Sequence, residues 1–228
     1  MKLKVVLLGV VLSSSAGVAM ALTTLVGMNY TITFDSSQQG LFGNPVLVTG
    51  GANESVTWRP TAFTDTNQGS IFSSARVTVT ANTGYDLSGF TFSESGQYRA
   101  WTKGTALSPA TYDVHASGTL HVGSLLTSSV ATGALASPGN STTLQTWGSL
   151  TGGPVLLPTN THTIMLQLDQ TLYAKYTGTR ARAYVNLTTA DVGITTHALP
   201  PVPEPETYAM MLSGLVAIGF LARRRRQD

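Results

Sequence analysis

Arg180-Ala181-Arg182-Ala183-Tyr184-Val185-Asn186-Leu187 decides the fold. Every second residue is apolar, and those between are charged, aromatic or polar. A period of two sends one set to a buried face and the other toward water, as in a half-buried antiparallel strand. A helix would repeat its apolar residues at three and four instead. The same rhythm recurs in Tyr30, Ile32 and Phe34 against Thr31, Thr33 and Asp35. It returns in Val77 and Val79 against Arg76, Thr78 and Thr80, and in Ile164, Leu166 and Leu168 against Thr163, Met165, Gln167 and Asp169. Threonine and aromatic residues dominate these runs, as a pleated surface favours.

Working outward, glycine-containing breaks separate the candidate strands. Asn82-Thr83-Gly84, Ser95-Gly96, Ser117-Gly118 and Thr177-Gly178 each read as a turn. Between them Leu87–Phe92, Tyr98–Thr102, Tyr112–His115 and Thr119–Val122 read as further short strands. Residues 124–160 lack the rhythm, yet a structureless loop of that length is unusual in a compact domain. One or two strands are expected there, one of them around Val155–Leu157. The predicted class is all-β: an antiparallel β-sandwich, jelly-roll or Ig-like, in preference to a closed barrel.

The chain has no cysteine among its 228 residues. Disulfides, thiolate metal sites and a cysteine nucleophile are thereby excluded. The formal charge is +2, but both ends distort it. Residues 22–200 hold seven bases (Arg59, Arg76, Arg99, Lys103, Lys175, Arg180 and Arg182) against eight acids, which leaves −1. The bases are scattered along the chain and form no continuous stripe, so no nucleic-acid partner is expected.

The two ends read as trafficking signals. Met1-Lys2-Leu3-Lys4 is a basic n-region, Val5–Leu12 an apolar h-region, and Ala19-Met20-Ala21 a small-x-small site. That is a secretory signal peptide, residues 1–21, with cleavage after Ala21 by signal peptidase following export through the Sec translocon. Residues 22–197 form the ectodomain. Residues 198–206, with Pro200, Pro201, Pro203 and Pro205, form a stiff extended linker. In residues 207–228 an apolar run, Tyr208–Ala222, precedes Arg223, Arg224, Arg225 and Arg226. The run is about 15 residues long, short against the ~20 of a comfortable bilayer crossing. It is expected to form a short transmembrane helix whose arginines stay on the cytoplasmic side.

Pro203-Glu204-Pro205, the apolar segment and the arginine cluster together resemble the PEP-CTERM sorting signal of Gram-negative bacteria. The resemblance covers only the last 27 or so residues. It implies export, brief retention in the inner membrane, and processing near Pro-Glu-Pro by an exosortase, a membrane-embedded cysteine protease or transpeptidase. It further implies a cell-surface or extracellular-matrix destination, in bacteria many of which make exopolysaccharide. No catalytic role carries over to the ectodomain.

The ectodomain itself offers little chemistry. Its histidines, His115, His121, His162 and His197, form no zinc-type spacing. His115 and His121 could share a metal with a carboxylate only if two strands paired suitably, and outward-facing positions are the simpler expectation. No Gly-x-Ser-x-Gly elbow is present. Glu94 with Asp86 or Asp113 is the only acid pair worth nominating for glycoside hydrolysis, and Glu94, just before a supposed turn, reads as solvated. No catalytic residue, metal ligand or cofactor is assigned. Trp58 and Tyr184 are candidate sugar-stacking residues: Tyr184 shares a face with Arg182 and Asn186, and Trp58 precedes Arg59-Pro60. The leading expectation is a non-enzymatic structural or adhesive surface protein. An exopolysaccharide-binding module comes second and a secreted hydrolase third.

Overall fold

A computed structural model describes residues 22–50, 53–66, 69–103, 110–124, 126–132, 135, 143–200 and 205–224. The chain divides into two compact units, Met1–His197 and Ala198–Asp228. The first holds two antiparallel sheets. In spatial order the first sheet runs β1 (Leu22–Val26), β2 (Tyr30–Asp35), β6 (Gly69–Ala81), β11 (Thr163–Thr177), β8 (Thr111–Val122) and β9 (Leu126–Ala131). The second runs β10 (Gln145–Leu156), β7 (Tyr85–Thr102), β12 (Ala181–Ala198), β4 (Asn53–Trp58) and β3 (Val46–Gly50). A two-residue strand, β5 (Thr64–Asp65), pairs with β12 at Val185 and Asn186. Neither sheet closes into a barrel.

The alternation read from the sequence is the alternation of burial. Ala181, Ala183, Val185 and Leu187 on β12 are all buried, while Arg182 is exposed and Tyr184 and Asn186 are half-buried. Ile32, Val79, Leu168 and Leu120 from the first sheet join Phe90, Phe92, Val185 and Val192 from the second in a single core. Burying those side chains on both sheets is the main favourable term holding the layers together. Residues 124–160 contribute β9 and β10, and Val155 does lie in a strand.

Two of the four expected turns are not turns. β7 runs unbroken through Ser95-Gly96, and β8 through Ser117-Gly118. Tyr98–Thr102 is therefore the end of β7, and Tyr112–His115 and Thr119–Val122 are parts of one strand. These glycines mark close approach inside a strand, which glycine also serves. A Cβ at Gly96 would land on the carbonyl of Asn186 and the indole of Trp147. A Cβ at Gly118 would land on the carboxylate of Glu94 and the amide of Gln170. By contrast Gly84 (φ 87°) and Gly178 (φ 96°) sit in true turns and use the left-handed conformation.

Gly96→Ala should therefore destabilise the unit by about 3 kcal/mol, since backbone and a packed indole must move. Gly118→Ala should cost less, about 1–2 kcal/mol, because side-chain ends can yield. At Gly153 a Cβ would meet nothing within 4 Å, so Gly153→Ala should stay within about 0.5 kcal/mol. Urea midpoints of the three variants check this, and equal effects at Gly96 and Gly153 would refute the packing argument.

Candidate functional site

Trp58 is corrected by the structure. It is 1% exposed, because β4 turns Val56 and Trp58 to the same inner face. Its indole packs edge-on against Phe42 with centroids 6.4 Å apart. Its Nε1–H donates to Gln39 Oε1 at 3.1 Å. Gln39 is itself buried and donates to the carbonyls of Asp35 (3.1 Å) and Arg76 (2.7 Å). No sugar reaches that ring. Tyr184 lies half-buried on the outward-facing parity of β12. Trp101, half-buried on the outward-facing parity of β7, is one of several aromatics that the sequence offers without singling it out, because nothing near it in the chain marks it.

Glu94 is not solvated either. Sitting mid-strand in β7, it is 2% exposed and projects toward Gly118 and Gln170 of the opposite sheet. Both its oxygens, and both polar atoms of the Gln170 amide, lack a hydrogen-bond partner of ordinary geometry among the described residues. Burial pushes the Glu94 carboxyl well above its usual range, and the nearby Gln170 amide opposes this only in part. Protonated, Glu94 could donate to Gln170 Oε1 and accept from its Nε2, pairing all four atoms after a small shift. Elsewhere in the core, burial first and the Glu54 charge second push the Tyr30 phenol upward.

The nominated acid pair is not assembled. Asp86 and Glu94 lie eight residues apart on β7, about 26 Å at ~3.3 Å per residue, whereas glycosidase carboxylates stand ~5–9.5 Å apart. Asp113 lies exposed on the outer side of β8, the other side of a sheet from Glu94. Neither of two surface clefts, one containing Asp35 and Arg76, the other Asp86 and His197, includes Glu94.

Three histidines each face their own carboxylate. His115 Nδ1 is 3.4 Å from Asp113 and its ring stacks on Tyr173, centroids 4.5 Å apart. His121 Nε2 is 3.1 Å from Asp169, and His162 Nδ1 is 3.1 Å from Asp86. β8 and β11 place His115 opposite Tyr173 and His121 opposite Gln167. Among the described residues no three His, Asp or Glu side chains gather as a metal site.

The second unit contains one helix, α1 (Pro205–Arg224). Pro205 opens it, where a missing N–H costs nothing. Glu206 in its first turn and Arg223 in its last turn both suit the helix dipole. Met210, Met211, Leu212, Leu215, Val216 and Ile218 are all 59–74% exposed. A helix apolar on every side wants lipid or a protein partner. Among the described residues, however, no helix is long and apolar enough to cross a membrane. Ala19, Ala21, Pro203, Glu204, Arg225 and Arg226 lie outside the described residues.

Residues 201–226 match the family model of the PEP-CTERM protein-sorting motif. The chain carries a PEP-CTERM sorting signal. The match spans the three prolines at 201, 203 and 205, the whole apolar run of α1 and all four arginines. No curated protein and no solved structure matches the chain. The PEP-CTERM motif indicates exosortase-targeted sorting, with an exosortase as processing partner and a route of export and membrane-associated delivery toward the cell surface.

Glu94 gives a pH prediction with a definite sign. Its folded-state pKa lies above the unfolded value of about 4.3. Between those two values the folded chain holds a proton that the unfolded chain releases, so stability falls as pH rises through that window. Glu94→Gln keeps the shape and removes the charge. It should raise the melting temperature by a few degrees at pH 8 and change it little at pH 4. Parallel pH profiles for the wild type and E94Q would show that Glu94 titrates alike in both states.

Proposed function

We propose that this chain is an exported bacterial surface or extracellular-matrix protein whose two-sheet unit has a structural or adhesive role rather than a catalytic one. The observation that carries the reading is the sorting-motif match at residues 201–226, on a helix whose apolar side chains stand exposed. The signal peptide is removed after Ala21. The C-terminal segment then engages the inner membrane briefly, its arginines holding it on the cytoplasmic side, until an exosortase cuts near Pro203-Glu204-Pro205. A mostly apolar run of about 15 residues suits a transient anchor: about 22 Å long as helix, it falls short of a ~30 Å hydrocarbon core. The non-catalytic reading draws on the separated acids and on histidines already committed to carboxylates. A second reading, a carbohydrate-binding module, is favoured by Trp101 and Tyr184, half-buried on the outward parity of β7 and β12.

Intact mass of the protein from membrane and medium tests the leading reading. A mature species beginning at Leu22 and ending between Val202 and Glu206 is expected. A released species that retains Arg223–Arg226 would overturn it. Glu204→Ala should leave the protein full-length at its C-terminus and membrane-associated. Deleting Arg223–Arg226 should release unsorted protein into the medium, because the positive charge that stops translocation is gone. Normal maturation of either variant would count against the assigned role of the residues removed.

A further inference from the structure

Asp35, the last residue of β2, carries an acid that the fold leaves half satisfied. It shares the outward parity of Thr31 and Thr33, opposite to the core residues Tyr30, Ile32 and Phe34. Even so it is only 9% exposed. Its Oδ1 accepts from Ser37 N and Ser37 Oγ, both at 2.8 Å, and so caps the short 3-10 helix Ser36–Gln38. Its Oδ2 is buried and has no hydrogen-bond partner among the described residues. A carboxylate oxygen in that position has given up water without replacement. Arg76 lines the same cleft of about 160 Å³, with Leu22, Gln38 and Met165. The Arg76 Nε–H donates to Gln167 Oε1 at 2.8 Å, however, and no described base forms an ion pair with Asp35.

Leu22 stands directly opposite Asp35 in the β1–β2 ladder. The hairpin closes with Gly27 N donating to Tyr30 O at 2.9 Å. Bonded and non-bonded pairs alternate from there, which makes Leu22–Asp35 a non-bonded pair. Such a pair holds its Cα atoms ~4.5 Å apart with the two side chains close on one face. Its main-chain N–H groups point away from the partner strand. While Leu22 is joined to Ala21, its nitrogen therefore has one neutral N–H, directed away from Asp35. The cap on Ser37 draws the Asp35 carboxylate forward, past the end of β2 and toward the point where β1 begins.

We propose that Asp35 is the binding site for the chain's own mature amino terminus, the α-ammonium of Leu22, so that removal of the signal peptide completes this edge of the first sheet. The proposal rests on the reading of residues 1–21 as a signal peptide cleaved after Ala21. Hydrolysis of the Ala21–Leu22 amide consumes one water: Ala21 leaves with a carboxylate, and Leu22 keeps an ammonium. One neutral donor becomes three, with a positive charge, on a nitrogen one bond from a Cα that faces Asp35. A donor can then turn toward Oδ2, and a charge-assisted hydrogen bond of this kind is stronger than a neutral one. The precursor cannot form it. The contact falls where β1 most needs one. This strand is five residues long, lies at the edge of its sheet, contains no charge, and leaves Leu22 58% and Val26 64% exposed. Bare apolar edges invite pairing with other chains, and a pinned charge at the end of the strand opposes it.

The test compares two exported full chains in mild detergent. One is the wild type, and the other has Gly-Gly inserted between Ala21 and Leu22, which moves the amine two residues away. Mass spectrometry fixes each N-terminus. Both are also made with Asp35→Asn, which keeps an oxygen to accept from Ser37 and removes the charge. The insertion should lower the melting temperature by about 4 °C or more. Asp35→Asn should lower it by a similar amount in the Leu22-first chain and should not lower it in the extended one. At pH 7 the Leu22 amine should be acylated several-fold faster in Asp35→Asn than in wild type, because the ion pair holds it protonated. Should Asp35→Asn fail to fold, acylation of the extended chain, expected to be faster than wild type, decides. Equal effects of Asp35→Asn in the two chains, or equal acylation rates, would overturn the proposal and leave the processing reading standing. Loss of the Asp35→Asn effect in Arg76→Ala, but not on insertion, would make Arg76 the partner and overturn it too. An exported chain that begins anywhere other than Leu22 would overturn both.

Discussion

The inner faces pack closely where two strand positions carry no side chain, Gly96 within the second sheet and Gly118 between the sheets. Gly96 leaves room for the Trp147 indole, whose Nε1–H donates to Asn186 O at 3.2 Å. Gly118 leaves room for Glu94 and Gln170. Interiors pack near crystal density, so an added methyl at either place must push the layers or distort a strand. In a chain without cysteine no cross-link compensates. Cohesion rests on the mating of two apolar faces and on the antiparallel ladders within each sheet.

Glu94 and Gln170 are the costly part of that mating. A buried polar group without a partner loses its hydration and gains nothing in return. A protonated carboxyl against an amide is the least costly arrangement available, and it couples the core to pH. The same low dielectric that raises the Glu94 pKa would oppose a charged role there. It is a structural acid, buried between the two sheets.

The second unit obeys different physics. The β unit gathers a buried apolar core between its sheets, and α1 displays its apolar residues. Exposed methionine, leucine, valine and isoleucine along several turns, bounded by a proline–acid motif and by arginines, describe a segment meant for another environment. The sorting signal is carried by the 26 matched residues. A signal is read as a short linear pattern, whereas a sandwich tolerates many sequences that keep its alternation.

Alternation along Ala181–Leu187, Tyr30–Phe34 and Ile164–Leu168 was enough to establish strands and their buried faces, since a period of two is a local property of the backbone. The terminal signals were legible for the same reason. Gly96 and Gly118 were misread as turns because the sequence shows that a side chain is missing, not which neighbour needs the space. Trp58 was misplaced because its partner Gln39 is far away in the chain. Glu94 looked solvated until the opposite sheet covered it. Local pattern determined what each segment is. Only strand pairing across long sequence separations decided which residues face one another, and therefore where charge, burial and any binding surface lie.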